Sequence, residues 1–356
     1  MTVLWITLLL VFVLAFFSRY SATTNGTLSY SFVMPNKFLI GCVTLILILV
    51  AGLRNNIGDT YFYMHSYELG TFTWETIFED KDPGFGILQM ILKSITSDPQ
   101  ILIFITACIT NLLIVITLYK YTRMIELSLY VYITSGMYIV SMNGVRQFLA
   151  ASIIFCATKY LLNGNIKKYF LLVFLASTLH LSALILLPIY FLVRRKAWSK
   201  MTFALLALSV FIVLGFNQFS ELLFSTLEGT QYGGYNDFQE GGANIIRVAV
   251  NCVPLFLVFL AREKLHSIWP KSDYIVNMSV ISTMFTIISA QNWIFARFNI
   301  FFGLYNLILI SWLVVLFKEN NKKYIYYSII ICYLLYYVYE QVLTLNIIYT
   351  SDYLKL

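Results

Sequence analysis

The stretch PQILIFITACITNLLIVITLYKYTR, residues 99–123, carries no charged side chain from 99 to 119 and then closes on Lys120 and Arg123. An uncharged run of that length matches the roughly 20 apolar residues that a helix needs to cross a bilayer. Comparable runs recur at 2–18, 36–53, 125–142, 145–162, 201–217, 243–261, 274–292, 295–317 and 323–342, and a further 25-residue apolar stretch occupies 169–193. Charged residues make up 12% of the chain, about half the share usual in soluble domains, and the mean hydropathy is +0.78. The expectation is an all-α polytopic integral membrane protein. It would form a single transmembrane domain over 1–356, with about ten full spans and no soluble domain. Arg19 follows the first run and no basic segment precedes it, so that run reads as a retained helix and not as a cleaved signal.

Loop charge orients the spans. Residues 54–98 hold seven acids against three bases, and 218–246 hold four acids and no base. Opposed to these are Lys120/Arg123, Lys167/Lys168, Arg194/Arg195/Lys196/Lys200, Arg262/Lys264/Lys271 and Lys318/Lys322/Lys323. The positive-inside rule puts the basic set in the cytoplasm and the two acidic loops outside. Alternation holds only if 169–193, basic on both flanks, does not cross once. Its middle carries Ser177, Thr178, His180 and Ser182 before Pro188. We therefore expect two short limbs folded back on each other, a break tolerated only where protein or a polar cavity satisfies the backbone. The five cysteines all fall inside these apolar runs with neither metal nor disulfide spacing. The formal charge of +7 reflects membrane anchoring and does not imply nucleic acid.

Under this topology seven Lys/Arg of 24 face outward. Four of them, Arg54, Arg146, Arg247 and Arg297, stand at the mouths of spans. Arginine presents a planar fork of donors matched to phosphate oxygens, and ionisable groups at membrane depth are costly and usually face a cavity. These four are candidate anion-binding residues, for a phosphate or a carboxylate ligand. The first outer loop pairs aromatic rings with carboxylates (Tyr61, Tyr63 and Trp74 beside Asp59 and Asp82), a composition suited to sugars, whose CH faces stack on rings while hydroxyls donate to acids. From Ile87 to Ile95 the apolar spacing predicts a short interfacial helix. The second outer loop, rich in glycine around Tyr232 and Tyr235, fits a lid over a groove.

Displacing an anionic leaving group needs cations for the charge that develops on it and a base for the attacking hydroxyl. Asp59, Asp82 and His180 are the candidate catalytic groups. Arginines can supply the charge compensation that a divalent metal supplies elsewhere, so no metal and no cofactor are expected.

The segments Gly52-Leu53-Arg54…Gly58-Asp59-Thr60…Tyr63, Pro83-Gly84-Phe85, Asn143…Arg146-Gln147 and His180-Leu181-Ser182-Ala183-Leu184…Pro188 resemble the EpsG-like group of bacterial polysaccharide polymerases, similar in role to Wzy-type O-antigen and capsule polymerases. The resemblance implies a multi-span glycosyltransferase related to the lipid-carrier-dependent superfamily, in the bacterial inner membrane with its site facing the exterior. It implies transfer of a glycan from one undecaprenyl-pyrophosphate carrier to a second lipid-linked repeat unit. Arg54, Asp59, Arg146, His180 and Arg297 match polar positions of that family. Membrane lipids, a chain-length regulator and a repeat-unit flippase are the partners it implies. From the residues alone, a flippase or other transporter, a glycan ligase and a sugar acyltransferase stand as alternatives.

Overall fold

The computed structural model describes residues 1–21, 34–226 and 241–354. Tyr232 and Tyr235 lie outside the described residues. Helices are the only regular elements among those described. Four are long and apolar enough to cross a membrane: Thr2–Tyr20, Gln100–Tyr121, Val145–Asn163 and Ile294–Leu316. Two bent pairs, Ile125–Thr134 with Met137–Asn143 and Ile245–Leu260 with Arg262–Ile268, raise the number to six if each is one span. The remaining stretches form helices too, several of them shorter. The protein is an all-α, multi-pass membrane protein.

The chain divides into two compact units, one of Met1–Tyr190 with Ile310–Leu356 and one of Phe191–Leu309. In the first, Gln100–Tyr121 packs between Lys37–Gly52 and Val145–Cys156, while Thr2–Tyr20 lies against Lys37–Gly52 and Ile125–Thr134. Asn36 starts the Lys37–Gly52 helix by accepting the Phe38 and Leu39 N–H groups at 2.9 and 3.2 Å, an N-cap that meets two of the four otherwise unpaired donors. The two ends of this unit differ in kind. At one end Arg19 pairs with the fully buried Glu126 at 2.7 Å, and Tyr119 and Trp312 donate to the Pro35 and Tyr121 carbonyls. At the other, Gln100 Nε2 donates to the Gly52 and Arg54 carbonyls at 2.6 and 3.1 Å.

The expected single span 125–142 is bent by 56°, because Ser135 ends one helix and Gly136, at φ +83°, starts the next. The segment 54–98 is more ordered than its composition suggests, with helices Thr60–Leu69, Trp74–Glu79 and Pro83–Ile95. The expected helix 87–95 begins four residues early, since Pro83 at its first turn brings a helical φ and lacks only an N–H that would be unpaired there.

Within 169–193 the helix Ile166–Leu179 stops at an extended His180, a 3-10 turn runs over Leu181–Ile185, and Leu186–Val193 follows. Fourteen helical residues rise about 21 Å, short of the roughly 30 Å hydrocarbon core. The Tyr190 ring lies 5.2 Å from that of Tyr169 and 5.6 Å from that of Phe170, so the second limb returns along the first. A topology with that return has a direct check. With the five native cysteines replaced, Glu75→Cys should react with a membrane-impermeant thiol reagent added outside, and Lys196→Cys should not. Both native side chains are exposed, so burial does not mask the result, and exterior labelling at 196 would require 169–193 to cross once.

In the second unit, Lys200–Leu214 and Ile245–Leu260 both pack on Ser272–Ile288. Its helices are tied by an amide–hydroxyl network. Asn306 donates to Asn251 and Ser282 at 3.4 and 3.0 Å, Ser282 to Asn299 at 2.6 Å, and Asn299 to Thr286 at 3.1 Å. Side-chain hydrogen bonds of this kind join helices where lipid leaves no hydrophobic drive between them.

Candidate active site

Arg146 is the second residue of the helix Val145–Cys156. Its guanidinium lies 3.0 Å from Asp82 Oδ2 and donates from Nε to the Tyr63 hydroxyl at 3.4 Å. It also stands over the Tyr63 and Phe85 rings, 5.8 and 5.7 Å from their centroids. Two aromatic faces and a carboxylate therefore fix the fork. The Arg146 side chain keeps 36% of its surface exposed while Asp82 keeps 3%, so the pair is buried on the acid side and open on the guanidinium side.

Asp82 is held equally firmly. Its second oxygen accepts the Leu181 N–H at 2.9 Å, which is the amide exposed where 169–193 breaks. Gly84 makes that approach feasible, since a Cβ there would sit 2.2 Å from Thr178 Oγ1. Burial is the larger influence on the Asp82 carboxyl and raises its pKa. The Arg146 charge and the Leu181 N–H pull the other way and offset this only in part. Asp80-Lys81-Asp82 has the Asp-x-Asp spacing of a metal-binding pair. Asp82 is committed to Arg146 and Leu181, however, and no group of three metal-ligating side chains comes together among the described residues.

Arg54 occupies a different environment. It is 1% exposed, donates from Nε to Thr60 Oγ1 at 2.9 Å, and reaches the Ala51 and Met142 carbonyls. Burial lowers its pKa to about 10, so it stays charged near neutrality. Ala51 lies in the last turn of Lys37–Gly52 and Met142 next to the end of Met137–Asn143. The cation thus meets two helix C-termini, where the dipole favours positive charge.

Between Arg54 and Asp59 the backbone is left-handed at two successive residues, Ile57 at φ +82° and Gly58 at φ +52°. Glycine is needed at 58, because a Cβ would lie 2.1 Å from Asn143 Oδ1. A β-branched residue at positive φ is an outlier costing about 1–3 kcal/mol, kept only where surroundings over-determine it. The turn delivers the Asp59 N–H to Asn143 Oδ1 at 3.0 Å. The Asp59 carboxylate itself makes no hydrogen bond or ion pair among the described residues. His180, extended at the break, places Nδ1 2.6 Å from Ser182 Oγ.

Four separate sequence segments therefore meet in the first unit. Asn143 joins 58–59 to the start of the Arg146 helix, Arg146 joins Tyr63 to Asp82, and Asp82 joins the 82–85 turn to the residue after His180. The aromatic candidates divide. Tyr63 backs Arg146, whereas Tyr61 and Trp74 are 63% and 57% exposed and stack on His65 and Phe78. Arg247 and Arg297 belong to the second unit. The Arg247 N–H is capped by Asn244 Oδ1 at 2.8 Å, and Arg297 stands 4.9 Å from the centre of the Trp293 ring. Asn143 and Thr60 stand in the motifs that carry the resemblance but have no site role from sequence, and Gln100 was not singled out, although a lone polar residue at the end of an apolar run was the available signal for it.

No curated protein and no solved structure matches the chain. A family model, that of the EpsG family, matches residues 37–351. That interval covers most of the chain and contains all four converging segments, and so the chain belongs to the EpsG family.

Proposed function

We propose that this protein polymerises undecaprenyl-pyrophosphate-linked oligosaccharide repeat units at the outer face of the inner membrane. Membership of the EpsG family supports a polysaccharide polymerase-like role, and the observation that carries the finer reading is Arg146. A guanidinium braced by a buried carboxylate, a tyrosine hydroxyl and two rings, yet open on one side, is a preorganised anion receptor. In the reaction, the donor's C1–O bond to pyrophosphate breaks, and the acceptor hydroxyl oxygen bonds to that carbon. The hydroxyl proton passes to a base, and lipid pyrophosphate departs as an anion. Arg146 stabilises the charge that develops on the departing phosphate, helped by the N–H groups at its own helix start. Asp59, whose carboxylate has no hydrogen bond or ion pair among the described residues, is the proposed base, with His180 the second candidate. Asp82 orients Arg146, and Arg54 holds the turn that presents Asp59. Tyr61 and Trp74 offer exposed faces to sugar rings, and Arg247 and Arg297 are proposed anion-binding residues of the second unit. A repeat-unit flippase would supply the substrate, and a chain-length regulator would act on the product.

Purified protein given only a lipid-pyrophosphate-linked repeat unit should yield a ladder of longer lipid-linked glycans and free lipid pyrophosphate, with no nucleotide sugar, ATP or ion gradient. A change in substrate sidedness with no change in length would make the protein a flippase, and a single transfer to an unlike acceptor would make it a ligase. The ladder should persist in excess chelator. Collapse restored by divalent ion would give Asp80 and Asp82 to a metal.

The same assay has an expected pH response. Protonation of Asp82 as the pH falls removes the anchor of Arg146, so the rate should drop on the acid side. Because burial raises the Asp82 pKa, that drop should lie above the ordinary carboxylate range, and a pH–rate profile flat through that region would count against the role given to the pair.

A further inference from the structure

The last described segment of the chain makes contacts that the reaction scheme does not use. The helix Glu319–Tyr337 passes into a π-helical turn, Val338–Thr344, a geometry concentrated at functional sites. Asn346 then turns the chain at φ +44°, and residues 348–352 run along 50–56. Asn56 holds this run with both ends of its amide, donating from Nδ2 to the Ile348 carbonyl at 2.6 Å and accepting the Thr350 N–H on Oδ1 at 2.8 Å. The Asn55 N–H donates to the Thr350 carbonyl at 3.1 Å, and Asn55 Nδ2 donates to Asp352 Oδ1 at 3.2 Å. Tyr349 reaches the Val50 carbonyl at 2.8 Å, and Ser351 donates to the Leu53 carbonyl.

These bonds all fall on residues 50–56, immediately before the strained Ile57. An isoleucine does not hold a left-handed backbone by its own preference, so its neighbours must impose it. On the C-terminal side Thr60 does so, with its N–H and hydroxyl both donating to the Ile57 carbonyl at 3.3 and 2.7 Å. On the N-terminal side the imposing partner is the amide pair of Asn56 with 348–350. We propose that residues 346–352 form a positioning clamp, which holds the 53–58 turn through Asn56 and so fixes Asp59 against Asn143. Asn56 and Thr350 are positioning residues in this scheme and touch no substrate. The catalytic consequence rests on the role proposed above for Asp59, while the mechanical claim stands apart from it.

The test uses full-length protein and two independent readouts. In Asn56→Ala, amide hydrogen exchange at residues 57–60 should rise about tenfold or more, with the helix Gln100–Tyr121 unchanged. Per mole of folded protein, kcat for chain growth should fall about 10- to 100-fold, the scale on which small misplacements act, with KM for the lipid-linked repeat within about twofold. Asn56→Asp keeps the acceptor for Thr350 and loses the donor to Ile348, so it should fall between the two. Unchanged exchange at 57–60 would overturn the clamp. Faster exchange with wild-type kcat, or a loss explained entirely by reduced abundance of folded protein, would overturn the catalytic consequence and leave the mechanical claim to the exchange result. If the wild-type protein lengthens no glycan, the reading of function fails, and the exchange measurement still decides whether the tail holds the turn.

Discussion

Arg146→Ala is expected to slow chain growth about 10²–10³-fold, the usual cost of removing one preorganised donor from a developing oxyanion, with folded protein recovered at wild-type levels. The side chain is partly open, and the Asp82 carboxyl that its loss leaves buried still accepts the Leu181 N–H and can take up a proton, since burial already raises its pKa. Arg146→Lys keeps the charge but cannot lie between the Tyr63 and Phe85 faces while bonding Asp82 as a planar fork does. It should recover no more than about a tenth of the wild-type rate if that geometry matters. Gel-resolved ladders from equal amounts of folded protein would measure both variants, and near-full ladders from the lysine form would reduce the role of Arg146 to simple charge.

Arg54→Ala should fail differently, by loss of the folded protein. The substitution strips the cation from the Thr60 hydroxyl and the Ala51 and Met142 carbonyls. Each buried group left unsatisfied costs about 1–3 kcal/mol, against a total stability of about 5–15 kcal/mol for typical domains. Arg54→Lys retains the charge but presents a point donor to three acceptors lying in different directions, so it should recover only part of the loss. Size-exclusion recovery and thermal melting in detergent would measure this. A variant that folds at wild-type yield yet makes no polymer would return Arg54 to the phosphate.

That contrast shows where sequence reading stops. Arg54 and Arg146 look alike in the chain, each at the mouth of an apolar run, and the same argument nominated both. What separates them is the number of acceptors around each guanidinium, and those acceptors are backbone carbonyls contributed by distant turns. Hydropathy was enough to locate the long apolar helices, because an apolar run must satisfy its own backbone in lipid. It did not show the bend at Ser135–Gly136, since one serine–glycine step is compatible with a straight span until Gly136 takes a left-handed φ. The Asp82–Leu181 bond was likewise hidden, although both the Pro83-Gly84-Phe85 segment and the break near His180 were visible separately. The segment 346–352 offered no periodicity and no charge pattern, and its meaning resides in amide pairs with Asn55 and Asn56 almost 300 positions earlier.

The central claim is that the Arg146 guanidinium meets the leaving pyrophosphate. The rate of lipid-pyrophosphate release by purified Arg146→Ala, measured with and without free guanidinium ion, tests it most directly. The account predicts slow release that added guanidinium raises several-fold, with no such gain for wild-type protein or for Asp59→Asn, whose defect lies in proton transfer. Release within about twofold of wild type, or a slow rate that guanidinium leaves untouched while restoring Asp59→Asn, would contradict it.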